Sequence, residues 1–226
     1  MAFNADDMMY VTLSNGVRMP QLGYGVYQVT QDECERCVAD ALEVGYRHID
    51  TAQSYFNEEQ VGAAIAGSGI DRGDIFLTTK VWLEHYGEGA TRASVEDSLR
   101  KLKTDYLDLV LLHQPFGEGR GGLFENPVLA QIAAAHGKST AQVMLRWNLQ
   151  RGVVVIPKSV HRERMEQNLD VFDFALTDAE MAQIAALDTK TSSFFSHTDH
   201  KMVQWFAQIV EERKHNHDCT RDKKNW

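Results

Sequence analysis

Residues 45–62 read GYRHIDTAQSYFNEEQVG, and this stretch decides the fold. His48-Ile49-Asp50-Thr51 has the make-up of a short buried strand: apolar Ile49, β-branched Thr51, and Gly45 before it as a helix stop. Asn57-Glu58-Glu59 reads as a helix start, an Asn cap followed by acid in the first turn. The loop between them holds an acid, Asp50, and a phenol, Tyr55. Loops that follow the C-terminal ends of parallel strands are where catalytic groups gather.

Upstream, residues 10–13 and 17–19 alternate apolar and polar around Ser14-Asn15-Gly16, which predicts a hairpin because Asn and Gly tolerate positive φ. Residues 21–27 are read as a first strand. Thr30-Gln31-Asp32-Glu33 has the pattern of a capping box, opening a helix that buries Cys34, Cys37, Val38, Ala41 and Leu42 at helical spacing. Downstream, residues 74–81 (DIFLTTKV) form a dense β run ending at Lys80. A helix through Val95, Leu99 and Leu102 follows, and residues 105–114 (DYLDLVLLHQ) make a fourth strand ending at His113. Its nearly continuous apolar run is that of a parallel strand buried on both faces. Strand alternating with helix predicts a parallel α/β fold.

After Pro115 the alternation stops. Residues 117–122 (GEGRGG) read as a loop, although Gly117, Gly119 and Gly122 match G-x-G-x-x-G; Pro115 intervenes and no βαβ unit surrounds the motif. Helices are expected over 127–136 and 140–150, capped by Ser139 or Thr140, then a short β-branched strand at 153–156, an outgoing loop Pro157-Lys158-Ser159, and helices over 162–169 and 178–187. That makes five barrel strands. A β/α unit takes about 30 residues and an eight-unit barrel about 250, so 226 residues leave the chain about three units short.

Composition narrows the function classes. With 43% hydrophobic residues the chain can bury a sizeable core, and a net charge of −9 with pI near 5.4 argues against nucleic acid or an anionic membrane as partner. MAFNADDMMY at the start has neither a basic n-region nor an apolar h-region, so no signal peptide is expected. No apolar run approaches the roughly 20 residues of a transmembrane helix. Three cysteines give no disulfide framework, which fits a reducing, cytoplasmic setting. Cys34 and Cys37 form a C-x-x-C within a helix and are read as packing. His197 with His200, and His215, His217 and Cys219 in the tail, are not read as a specific metal site.

The passages HIDTAxxYxNE and DYLDLVLLHxP, with a lysine closing the strand between them, resemble in order and content the aldo-keto reductase family, and its bacterial diketogluconate-reductase-like members in particular. The resemblance implies a (β/α)8 TIM barrel whose bottom is plugged by the N-terminal hairpin. Residues through Pro115 are similar to the family's first half, and 124 to about 201 to its eighth strand and the helices beyond. Strands five to seven have no counterpart, so the barrel is incomplete. A junction falls near 116–122 in a single domain over 1–210, followed by a polar tail over 211–226.

For function the resemblance implies an NADPH-dependent oxidoreductase that reduces aldehyde or ketone carbonyls to alcohols. Asp50, Tyr55, Lys80 and His113 match the four catalytic positions. Tyr55 would protonate the carbonyl oxygen; the ammonium of Lys80 would favour the phenolate, Asp50 would hold the lysine, and His113 would polarise the carbonyl. Ile156-Pro157-Lys158-Ser159 begins the second signature. Lys158, Ser159 and Arg164 would hold an adenosine 2′-phosphate, with Val160, Gln167 and Asn168 completing the cofactor contacts. Tyr24 and Trp82, with His113, would face the substrate. The positions that grip nicotinamide in the family, on strands five to seven, cannot be assigned. The family is monomeric; here an open barrel edge offers a surface for self-association. The alternative is a catalytically crippled remnant that binds nucleotide or protein.

Overall fold

Alternation and the Asn15-Gly16 pair produce the expected hairpin. β1 (Tyr10–Thr12) and β2 (Arg18–Pro20) pair antiparallel with Val11 opposite Met19. Gly16, at φ 84°, turns the chain, and Asn15 Oδ1 accepts a hydrogen bond from the Val17 amide. The computed structural model describes residues 8–113, 123–188 and 208. The 117–122 loop with its glycine motif, the 211–226 tail and the histidines at 197, 200, 215 and 217 lie outside the described residues.

The central sheet is parallel and has the order β3 (Tyr24–Gly25), β4 (His48–Asp50), β5 (Phe76–Val81), β6 (Leu109–Leu112). Helices α1 (Gln31–Val44), α2 (Glu58–Gly67) and α3 (Glu88–Lys101) make the crossovers. α1 buries the five residues its spacing predicted and stops at Gly45, whose φ of 126° only glycine adopts readily. This is the α/β class with a parallel sheet, truncated relative to a full barrel.

The first strand is shorter than residues 21–27, and 153–156 is not a regular strand. The two segments still run side by side. Leu22 and Val155 form a parallel bridge, Val155 N donates to Gln21 O (2.9 Å), Gly23 N to Val155 O (2.8 Å) and Gly25 N to Pro157 O (3.3 Å). The sheet therefore starts with the 153–157 segment and ends with β6. The expectation that β6 is buried on both faces fails: Val110, Leu111 and Leu112 are 39%, 40% and 66% exposed, because nothing among the described residues pairs with its outer edge. At the other end Val153 and Ile156 are also exposed.

α4 (Pro127–His136), α5 (Thr140–Gln150), α6 (Arg162–Leu169) and α7 (Asp178–Ala185) follow. Asn126, with Pro127 behind it, caps α4; Ser139–Gln142 and Thr177–Glu180 form complete capping boxes. Two expected caps are used otherwise. The Thr30 hydroxyl donates to Glu33 instead of accepting from the helix. Asn57 donates to the carbonyls of Val26 and Val29 and accepts from Thr51, so its side chain ties loops together at the sheet's C-terminal end.

The main core joins α1, α2 and the sheet to Leu149, Met165, Leu169 and Val171; Leu129, Ile132, Ala133, Val143, Leu176 and Ile184 make a smaller one. A seam between α1 and α6 closes the main core, with Tyr46 OH donating to Met165 O and Arg162 reaching Asp40 and Glu43, and Phe174 packs against both cores. No helix among the described residues is long and apolar enough to cross a membrane.

Candidate active site

Parallel register brings the first two site residues together. Asp50 ends β4 opposite Thr78 of β5, and Lys80, two residues further along β5, emerges on the same face as Thr78. Lys80 Nζ donates to Asp50 Oδ1 at 2.5 Å, to Thr51 O at 2.9 Å and to Tyr55 Oη at 3.4 Å. An ammonium has three N–H groups. Two are taken by Asp50 and Thr51, so the third is directed at the phenol.

Tyr55 closes a 3₁₀ turn, Gln53–Tyr55, that leaves β4. Gln53 anchors the turn: its Oε1 accepts from the Trp82 amide, and its Nε2 donates to Ser94 O and Ser98 Oγ. Phe56, next in sequence, takes the left-handed conformation at φ 57°, a strained choice for an aromatic residue. The His113 amide donates to Val81 O at 3.0 Å, which holds His113 in register just beyond β6. Its ring lies edge-on to Tyr55 (centroids 5.4 Å) and to Trp82 (5.6 Å), and its Nδ1 is 3.1 Å from Ser54 Oγ. The structure thus gathers Asp50, Tyr55, Lys80 and His113 at the C-terminal end of one sheet.

Burial sets the electrostatics of the pair. It pushes the Asp50 carboxyl above the ordinary carboxylate range while Lys80 pulls it back, and it pulls the Lys80 ammonium below its ordinary value while Asp50 opposes. In this low-dielectric site the charges of Lys80 and Asp50 are strongly coupled, and the phenol of Tyr55 lies at the open end of that couple.

Of the substrate-facing candidates, Trp82 is beside the site. Tyr24 is not: it is 1% exposed, its hydroxyl donates to Ser159 O, and its ring packs against Tyr46 in the core. The residue the sequence reading missed is Tyr27, half-buried, with its ring 5.1 Å from that of Tyr55. Reading residues 21–27 as one strand puts Tyr27 inside it; the strand ends at Gly25, and Tyr27 lies past that end, on the side where the other site groups gather. A cleft of about 560 Å³ lined by Gln53, Ser54, Phe56, Trp82, His85 and Ala93 flanks the tetrad, none of whose four members is among its walls.

The cofactor candidates are contiguous on the loop after 153–157 and on α6. Lys158 and Arg164 are exposed and have no hydrogen-bonding or ionic partner among the described residues; Gln167 and Asn168 lie in the last turn of α6. Ser159 is buried, its hydroxyl turned to the backbone of His161, and Val160 packs against the core while its carbonyl accepts from Arg36. Two exposed cations, unpartnered among the described residues, suit a phosphate group, while the Ser159 hydroxyl is engaged by the backbone of His161.

The model of the aldo/keto reductase family matches residues 14–119 and 122–189. Glyoxal reductase of Bacillus subtilis is 36% identical over 254 aligned residues, covering 79% of this chain and 92% of the relative. Because 79% of 226 residues is about 179, about 75 of those 254 positions have no counterpart here. Among solved structures, an aldo/keto reductase from Brucella melitensis superposes with a TM-score of 0.76 at 35% identity, over 80% of this chain and 99% of that one. A mutant of Gox0644 in complex with NADPH gives 0.76 at 28% identity, over 81% and 94%.

Proposed function

Because the chain belongs to the aldo/keto reductase family, we propose that it is an NADPH-dependent oxidoreductase that reduces aldehyde or ketone carbonyls to alcohols. The observation that carries this reading is Lys80 Nζ, which reaches both Asp50 Oδ1 and Tyr55 Oη. NADPH, when bound, supplies the hydride. Tyr55 Oη holds the proton destined for the carbonyl oxygen, and the Lys80 ammonium stabilises the phenolate left behind. Asp50 keeps Lys80 charged and aimed. His113 offers a ring N–H to the same oxygen, where negative charge develops in the transition state.

Lys158, Ser159 and Arg164 would take the 2′-phosphate, with Gln167 and Asn168 at the adenine edge and Val160 as a further cofactor contact; the unpartnered state of the two cations among the described residues supports the phosphate assignment. The unmatched positions and the interruption of the family match at 120–121 support a junction near 116–122 within one domain over 1–210, with 211–226 as a tail. Free, buried Cys34 and Cys37 support a cytoplasmic setting. The edge of β6, unpaired among the described residues, favours two further readings: self-association through that edge, and a remnant that holds nucleotide without turnover.

The test is NADPH absorbance decay with a small reactive dicarbonyl, a choice suggested by the name of the Bacillus relative. The native protein should consume NADPH, and Tyr55→Phe should lower kcat by about 100-fold or more. Tight NADP⁺ binding with no turnover in either protein would replace this reading with the remnant.

A further inference from the structure

The four catalytic candidates leave one buried hydroxyl in the site without an assigned task. Ser54 lies in the same 3₁₀ turn as Tyr55 and is 7% exposed. Among the described residues, the hydrogen-bonding partner of its side chain is His113 Nδ1, at 3.1 Å. A buried O–H that donates to nothing is costly, so the hydroxyl proton goes to the one acceptor it has. A neutral imidazole has one nitrogen with a proton and one with a lone pair. If Ser54 donates, Nδ1 carries the lone pair and the ring proton resides on Nε2.

We propose that Ser54 is a positioning residue for His113, donating its hydroxyl proton to Nδ1 and so holding the tautomer that presents an Nε2–H to the substrate carbonyl. The opposite tautomer would offer the carbonyl oxygen a lone pair and repel it. Two features make the arrangement stiff. Ser54 is fixed through Gln53, which binds the Trp82 amide and α3. His113 is fixed through its own amide on Val81 and through its carbonyl, which accepts from Tyr86 OH at 3.0 Å. The edge-on contacts with Tyr55 and Trp82 restrict the ring's rotation, and the Ser54 hydroxyl at Nδ1 acts on its tautomer.

The part of this proposal that concerns the carbonyl rests on the reductase reading, so the experiment has two readouts. Heteronuclear NMR of the histidine-ring nitrogens, with His113 assigned by its loss in His113→Asn, should show the Nε2–H tautomer in the native protein, a mixture in Ser54→Ala and the native pattern in Ser54→Thr. NADPH turnover should fall about tenfold in kcat for Ser54→Ala, with the KM for NADPH unchanged and recovery in Ser54→Thr. An Nδ1–H tautomer in the native protein, or a tautomer indifferent to Ser54→Ala, would overturn the proposal. A protein that turns over no carbonyl but shows the expected tautomers would overturn the reductase reading and leave the role of Ser54 on the ring standing.

Discussion

His48 opens β4 with its ring closed in. Nδ1 is 3.3 Å from Pro20 O, Nε2 is 3.2 Å from Thr78 Oγ1, and Gly23 packs so close that a methyl group there would lie 2.5 Å from the ring. Burial lowers its pKa to about 4. The unfolded chain therefore takes up a proton before the folded one does as pH falls, and stability present above about pH 6.5 is lost on the way down to about 4, by roughly 3 kcal/mol in all. Asp50 and Glu58, raised by burial, act in the opposite sense. The comparison that isolates His48 is the urea midpoint at about pH 7 and pH 4.5, for the native protein and for His48→Gln. The variant should lose distinctly less on acidification. At this scale the tetrad was legible because each member closes a recognisable strand or follows it. Tyr27 was not, since choosing it over Tyr24 required the strand's end to within a residue, where pattern reading is weakest. Ser54 carried no signal at all; its partner lies 59 positions away.

Helices were the legible elements, and close contacts between them the hidden ones. Caps and 3.6-residue spacing placed α1, α4, α5 and α6 well, because these signals are local. Nothing local foretold that α2 rests on the end of α3 at Gly62, where an added Cβ would lie 2.6 Å from backbone atoms of Leu102. Replacing glycine by alanine inside a helix usually stabilises it by up to about 1 kcal/mol. Gly62→Ala should instead destabilise by about 1–3 kcal/mol, because the obstacle is backbone and cannot rotate away. Gly67→Ala, in the same helix with open space around it, should be neutral or slightly stabilising. Denaturant midpoints of the two variants check this directly, and equal losses would refute it. β6 teaches the converse lesson. Its apolar run described a strand meant for the middle of a sheet, and a sequence pattern records what a strand can pair with, not whether the partner is there.

Across the whole molecule the strand count made the shortfall visible, since five candidate strands cannot close a ring built for eight. What could not be read is how the sheet ends. Both outer edges carry apolar side chains, Val110, Leu111 and Leu112 on one and Val153 and Ile156 on the other. An uncharged edge of this kind recruits another chain. Sedimentation of the purified protein should show concentration-dependent self-association, and Leu112→Lys should shift it toward monomer without loss of secondary structure. A native protein that stays monomeric at its highest soluble concentration would contradict this.

The pairing of Leu22 with Val155 also dictates an order in time. The main core takes Leu149, Met165, Leu169 and Val171, all more than a hundred residues further along the chain, to complete the cover of α1, which is made in the first fifth. While the chain is being synthesised, the side of α1 that meets α6 must wait for more than a hundred residues before its cover is made. Contacts of such long sequence separation make folding slow and leave intermediates prone to aggregate. For this protein the vulnerable moment is before release from the ribosome, and a chaperone that shields the nascent first half should raise its yield more than any change that strengthens the finished fold.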